Sequence, residues 1–202
     1  MQPIVDRRIR FAVIGCGRIA ANHFKALRQH ERSIELVGVC DSDAGALARA
    51  VQETGAPGYA RYDELLRSAN ADVVVLSTPS GTHSGQTIQA ANAGKHVVTE
   101  KPMATRWRDG KEMVQHCDAA GVRLFVVKQN RRNSTLQLLK RTLDKGRFGR
   151  IYMATINVFW TRPQEYYDSA AWRGTWEFDG GAFMNQASHY VDLLDWIGGP
   201  VE

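Results

Sequence analysis

Ten residues near the N-terminus, Phe11-Ala12-Val13-Ile14-Gly15-Cys16-Gly17-Arg18-Ile19-Ala20, constrain this chain more than any other stretch. An apolar run that meets two glycines one residue apart, and then a helical pattern, reads as a buried strand, a tight turn and a helix. The first turn of such a helix leaves backbone N–H groups unpaired, and with the positive end of the helix dipole they attract a pyrophosphate. Gly15 permits the turn, Gly17 lets the backbone approach the phosphates, and Ala20 is small where the helix lies close to the strand, so the pattern is G-x-G-x-x-A. Arg18 and Ile19 fall on the same phosphate-facing loop. A strand–helix turn without a ligand uses glycines too, so the surrounding sequence must decide.

A second apolar run, Ile34–Cys40, ends on Asp41, 24 residues after Gly17. That is close to the roughly 20-residue offset of the acid that holds the adenosine ribose in a dinucleotide site. A carboxylate there accepts hydrogen bonds from the ribose hydroxyls and repels a 2′-phosphate, which selects NAD over NADP. Ser42 and Asp43 follow, with no adjacent cation. The other role open to Asp41 is the N-cap of the next helix.

Strand and helix patterns then alternate. Strands are expected at Arg10–Ile14, Ile34–Cys40, near Tyr59, and at Asp72–Leu76, His96–Thr99 and Leu124–Val127. Helices are expected at Arg18–Gln29, Ala44–Thr54, Tyr62–Ser68, Thr82–Ala93 and Arg106–Ala120. The β-branched run before Leu76 suits a strand covered on both faces. Repeated βα units imply a parallel sheet with right-handed crossovers. The fold class is therefore α/β: a doubly wound parallel Rossmann sheet over residues 1–127, followed over 128–202 by the beginning of an α+β domain. In that second part the pattern predicts a helix at Asn133–Lys145, a long aromatic strand at Arg150–Thr161, a Tyr- and Trp-rich loop, and a helix at Ala182–Ile197 stopped by Gly198-Gly199-Pro200.

Composition excludes several classes. No apolar run reaches the roughly 18 residues that cross a bilayer, and the N-terminal MQPIVDRRIRF lacks the apolar centre of a signal peptide, so no membrane partner and a cytoplasmic location are expected. Three widely spaced cysteines, Cys16, Cys40 and Cys117, show no C-x-x-C spacing, which argues against a disulfide frame or a bound metal. The net charge of +5 is local: nine Arg or Lys residues and one acid, Asp144, lie between Arg123 and Arg150. Such a stretch either faces an anionic ligand or is a solvated helix face. No helix-turn-helix, finger or RNA-stacking signature accompanies it, so no nucleic acid is expected.

Two loops fall at strand ends on the cofactor side. The first, Ser77–His83, offers Thr78, Pro79 and His83; the second, Thr99–Pro102, offers Glu100 and Lys101. A lysine there can donate to a substrate oxygen or pass on its proton, or can be an ordinary lysine before a helix-starting proline. In the late helix, Asn185 and His189 are four residues apart and share a face, and Asp192 is placed to fix the tautomer of His189. His189 is either a general base for an alcohol proton or a satisfied core histidine.

The segments FAVIGCGRIA, STPSGTH, AGKHVVTEKP and GGAFMNQASHYVDLLDW, in this order and spacing, resemble the Gfo/Idh/MocA family over the whole chain. The resemblance implies a nicotinamide enzyme that oxidises or reduces a sugar-like alcohol, a homo-oligomer when full length, and a cis Lys101–Pro102 bond. The segments VVKQNRRN and NVFWTRPQEYYDSAAWRGTWEFDGGAFMNQASHY carry it further. They imply NAD-dependent oxidation of the 3-hydroxyl of a UDP-linked N-acetylglucosaminuronic acid, on the way to surface polysaccharide. On this reading His189 is the base, Lys101 polarises the developing carbonyl and Asn185 orients the sugar. Arg131, Tyr167, Trp172 and Arg173, with Lys128 and Arg132, face the diphosphate and uridine. One departure stands out: family helices commonly carry an acid where this chain has Asn185, and an amide does not titrate. Oxidation of a free sugar or polyol, and a nucleotide-binding regulator without turnover, remain the alternatives. Finally, Arg150–Thr161 and the late helix need a broad sheet to cover them. The expectation is that the first domain, to about Val127, folds and binds NAD alone, with the remainder mobile or self-associating and turnover absent.

Overall fold

The computed structural model describes residues 4–199; Pro200, expected in the stop of the last helix, lies outside the described residues. Six apolar runs form one parallel sheet in the order β3-β2-β1-β4-β5-β6. The strands are β1 (Ile9–Ile14), β2 (Ile34–Cys40), β3 (Gly58–Tyr59), β4 (Val73–Leu76), β5 (His96–Thr99) and β6 (Leu124–Val126). The crossover helices are α1 (Ala20–Gln29), α2 (Ala44–Thr54), α3 (Tyr62–Ser68), α4 (His83–Asn92) and α5 (Trp107–Ala119). This strand order reverses direction between β1 and β4, which opens a crevice beyond their carboxyl ends.

The period of two along each strand divides the core between the two faces. Ala12 and Ile14 lie with Val74, Leu76, Leu65 and Ala90 on one side, while Val13 lies with Val39, Val75, Phe24 and Ala50 on the other. Every residue of β4 is buried as a result, as the sequence led one to expect. Each covered Val or Leu contributes about 1.5–3 kcal/mol. At the opposite end of the sheet, Asp72 accepts from Arg7 Nη1 at 2.6 Å, from Arg10 Nη2 at 2.9 Å and from the Arg10 backbone at 2.8 Å, tying the N-terminal segment to the start of β4.

The chain divides into two compact units between Val126 and Val127. The second contains α6 (Ser134–Asp144), α7 (Gln164–Asp168), α8 (Gly181–Asn185) and α9 (Ser188–Gly198), with a short 3-10 turn at Gln129–Arg132. Three expectations differ here. The Tyr- and Trp-rich segment expected as a loop contains α7. Arg150–Thr161 forms no strand: residues 151–160 are all exposed and without regular structure. A strand exists by hydrogen bonding to a neighbour, and among the described residues none pairs with it. The single helix expected at Ala182–Ile197 is broken after Asn185, where the Ala187 N–H reaches back five residues to the Ala182 carbonyl at 2.8 Å, a widened π-type turn. No helix among the described residues is long and apolar enough to cross a membrane.

Candidate functional site

Backbone ladder bonds continue past the strand ends and set four loops in a row. Gly15 N–H donates to the Cys40 carbonyl at 2.8 Å, Ser77 N–H to Ile14 at 2.7 Å and Glu100 N–H to Leu76 at 3.0 Å. The sequence places chemistry on each of these loops: the glycine turn, Asp41, Ser77–His83 and Glu100–Pro102.

Gly15 is buried with φ +86°, and a Cβ on it would stand 2.8 Å from Ser77 C and Thr78 N. Gly17, Arg18 and Ile19 are exposed, and a Cβ on Gly17 would meet nothing within 4 Å. The N-terminus of α1 has no capping side chain and no acid in its first turn; the Ala20 and Asn22 N–H groups turn back to the Gly17 and Ile19 carbonyls, so the helix dipole and the remaining first-turn N–H are left to an anion. Asp41 accepts from the Cys16 N–H at 2.7 Å and from the Asp43 N–H at 2.8 Å. The cap of α2 is Asp43, whose Oδ1 accepts from Ala46 N at 2.6 Å, so the capping role left open for Asp41 falls to its neighbour. An open glycine, an uncapped helix start and a carboxylate fixed beside them fit a dinucleotide: the N–H groups and dipole suit the pyrophosphate, and Asp41 suits a ribose. Burial and the nearby Asp41 push the Cys16 thiol up to about 12, and burial pushes Cys40 up to about 11, so both remain neutral thiols.

The two strand-end loops are braced from below. Thr78 Oγ1 donates to Gln86 Oε1 at 2.5 Å, and Thr82 Oγ1 donates to Thr78 at 2.9 Å. Pro79 starts the short 3-10 turn Ser80–Thr82. His83 was expected to face the cofactor, but it is fully buried. Its Nδ1 lies 2.9 Å from the Pro102 carbonyl and its Nε2 3.0 Å from the Thr78 carbonyl. It therefore bridges the two loops from within. Burial lowers its pKa, and a neutral ring donates to only one of these carbonyls. Glu100 is also buried and meets His23 Nε2, from α1, at 2.9 Å, while its other oxygen accepts the Lys101 N–H at 3.2 Å. Burial opposes ionisation of Glu100, but His23 and Lys101 together hold the carboxyl below its ordinary range. Lys101 is half-buried beside it, and the Lys101–Pro102 bond is cis. The sequence reading missed His23, which lies 77 residues before Glu100, and Gln86, which is one turn into the helix that follows the first loop.

In the second unit, His189 is buried on α9 with Gln129 Nε2 3.3 Å from its Nε2. An amide N–H only donates, so that ring nitrogen offers its lone pair. Asp192 was expected to orient His189; instead it accepts from Arg131 Nε at 2.8 Å and Nη2 at 2.7 Å, with Lys128 Nζ at 3.8 Å. The Arg131 fork expected at a phosphate is thus committed to α9, and its guanidinium also lies 5.7 Å from the Trp196 ring centroid. Asn185 and His189 do not share one helical face, because the widened turn separates them. The buried Asn185 amide donates to Asp179, whose second oxygen accepts from Gly174 N at 2.8 Å. Asp179, 2% exposed, escaped the sequence reading. Tyr167 packs edge-on to Tyr166 at 5.2 Å, and Trp172 and Arg173 are half-buried beside them.

The chain is similar to known proteins along its whole length. A family model for the NAD-binding Rossmann fold of the Gfo/Idh/MocA oxidoreductases matches residues 9–128, and the model of the C-terminal domain of the same group matches residues 136–202. A WlbA dehydrogenase from Chromobacterium violaceum, solved with NADH and UDP-GlcNAcA, is 66% identical with a TM-score of 0.98, covering 100% of this chain and 59% of that one. The WlbA dehydrogenase from Bordetella pertussis, with the same two ligands, is 65% identical with a TM-score of 0.97, covering 99% and 58%. Inositol 2-dehydrogenase 3 of Saccharopolyspora erythraea is 30% identical over 94% of this chain and 53% of its own length. The chain thus spans a little over half the length of these relatives.

Proposed function

The chain belongs to the Gfo/Idh/MocA family of NAD-binding oxidoreductases, and on that premise we propose that it serves the NAD-dependent oxidation of the 3-hydroxyl of a UDP-linked N-acetylglucosaminuronic acid. The observation that carries this is the 66% identity, over the whole chain, with a dehydrogenase holding NADH and UDP-GlcNAcA. NAD bound at the glycine loop supplies the acceptor for the hydride leaving C3. The chain's own residues do the rest. The uncapped start of α1 and the open Gly17 receive the pyrophosphate, and Asp41 receives the ribose. His189 takes the hydroxyl proton at Nε2, the substrate hydroxyl replacing the Gln129 amide there. Lys101, set by Glu100, donates to the oxygen as it becomes a carbonyl. Asn185, fixed by Asp179, orients the sugar, and Tyr167, Trp172 and Arg173 meet its nucleotide end. A product of this kind feeds surface polysaccharide synthesis, and a homo-oligomer working in the cytoplasm completes the proposal.

The experiment is direct. The protein is incubated with UDP-GlcNAcA and NAD, and NADH formation is followed alongside the mass of the sugar nucleotide. NADH together with a product lighter by two hydrogens is expected. The relationship with inositol 2-dehydrogenase 3 favours a second reading, a free polyol. NADH formation with myo-inositol and none with the UDP-uronate would replace the first reading by the second.

A further inference from the structure

The Tyr- and Trp-rich stretch of the second unit joins Trp172 and Arg173, assigned above, to an arginine that has no role yet. The guanidinium carbon of Arg162 lies 3.8 Å from the Trp160 ring centroid and 5.0 Å from that of Tyr166. That of Arg173 lies 4.4 Å from Tyr166 and 4.8 Å from Trp172. Rings and cations therefore alternate, Trp160, Arg162, Tyr166, Arg173, Trp172, with two positive charges against one tyrosine.

Neither guanidinium has a hydrogen bond or ion pair with the described residues, and the Nε of each is closed off from solvent without a partner. Asp168, the acid nearest in the chain to Tyr166 and Tyr167 on the C-terminal side, accepts from Gln164 Nε2 instead, at 2.8 Å. The contrast with Arg131 is direct: in the same unit, Arg131 holds a carboxylate in a two-pronged grip. A half-buried cation without a counter-charge is costly, and attraction to ring faces offsets only part of that cost. Two of them against one ring also repel each other. What relieves all three is an anion with oxygens to match the planar forks.

We propose that Arg162 and Arg173 form a paired oxyanion site whose ligand is an acidic group of the substrate. The proposal adds Arg162, which the sequence reading passed over, and rests on the nucleotide-sugar reading for the identity of the ligand. Both the diphosphate and the uronate carboxylate of UDP-GlcNAcA have the required chemistry. Tyr166 between the arginines, with Trp160 and Trp172 outside them, holds the forks in place.

Calorimetric titration of the protein and its Arg162→Met and Arg173→Met variants with UDP-GlcNAcA, UDP and UDP-N-acetylglucosamine tests this. Each variant is expected to lose about tenfold or more in affinity for UDP-GlcNAcA and to keep its NADH affinity. Its ligand-free melting temperature should hold or rise, because an unbalanced charge has gone. Parallel losses for UDP and UDP-N-acetylglucosamine assign the diphosphate; a loss confined to UDP-GlcNAcA assigns the carboxylate; each upholds the site. Unchanged affinity in both variants overturns it. If a methionine variant does not fold, Arg162→Lys and Arg173→Lys, which keep charge and ring contact but lose the fork, decide the matter by the same criterion. If the unaltered protein does not bind UDP-GlcNAcA, the nucleotide-sugar reading fails and inorganic pyrophosphate becomes the probe. Pyrophosphate binding that depends on either arginine upholds the oxyanion site; no binding, or binding indifferent to both, overturns it.

Discussion

Gly15 and Gly17 look equivalent in the sequence, yet the structure gives them different constraints. At Gly15 a methyl group meets backbone at 2.8 Å, and φ is +86°. Gly15→Ala should therefore cost about 2–4 kcal/mol of stability, read by thermal melting. At Gly17 nothing of the protein stands within 4 Å, and the proposed function puts the pyrophosphate there. Gly17→Ala should melt within about 2 °C of the parent and lose about tenfold or more in NADH affinity. Unaltered NADH binding would remove Gly17 from the cofactor site. Asp41 holds two backbone N–H groups, and the proposed function adds a second task, to carry the charge that disfavours NADP. Asp41→Asn keeps an acceptor and removes the charge, so the NAD preference should narrow while the fold stays; tighter NADP than NAD binding by the unaltered protein would defeat the assignment. Asp72 provides the pH test. Burial opposes its ionisation, but Arg7 and Arg10 overcome this and hold the carboxyl well below its usual range. The folded group thus ionises at lower pH than the unfolded one, and the stability it confers is full above about pH 4 and is lost as the solution becomes more acid. Asp72→Asn should lower stability at neutral pH by on the order of 2 kcal/mol, with the gap closing as pH falls.

The elements of the first unit follow their local patterns because pattern and surroundings agree. β4 reads as a strand covered on both faces, and α3 with α4 on one side and α1 with α2 on the other provide the cover. Residues 150–161 show the opposite case. Tyr152, Met153 and Phe159 are 85%, 84% and 95% exposed. Their apolar character implies a covered strand, but among the described residues no neighbour supplies the ladder or the cover. Tyr152→Ser and Phe159→Ser should therefore change stability by less than about 0.5 kcal/mol and reduce self-association in light scattering. A large loss of stability would show these rings to be buried in solution. The late helix breaks for a different reason: its apolar spacing continues through Gln186, but the turn widens there and sends Asn185 to Asp179 and His189 to Gln129.

Across the whole molecule the buried apolar core is unevenly shared. Among the described residues, Leu193 is the sole fully covered apolar side chain of the second unit, and all the others belong to the first. Cohesion therefore rests with the six-stranded sheet and its helices. A fragment covering residues 1–127 should unfold cooperatively and bind NADH within a few-fold of the 202-residue chain, whereas residues 128–202 alone should show no cooperative transition. Limited proteolysis of the chain should leave a product ending near Val126. Loss of NADH binding in the fragment would assign part of the cofactor site to the second unit.

By itself the sequence determined the parallel sheet, its order of elements, the glycine loop, Asp41 and the loop carrying Lys101. Each is set by local rules: a period of two along strands, a backbone that only glycine adopts, and a fixed offset along one βαβ unit. Tertiary structure decided which polar groups bind one another. His83 turned inward to two carbonyls, Asp192 went to Arg131 rather than His189, and His23 reached Glu100 from a helix 77 residues earlier in the chain. A hydrogen-bonding side chain takes whichever partner lies within about 3 Å, and no sequence spacing encodes that distance between separate elements. The same reason separates the aromatic run at 150–161 from the strand it resembles, because pairing is a property of two segments and only one of them is legible at a time.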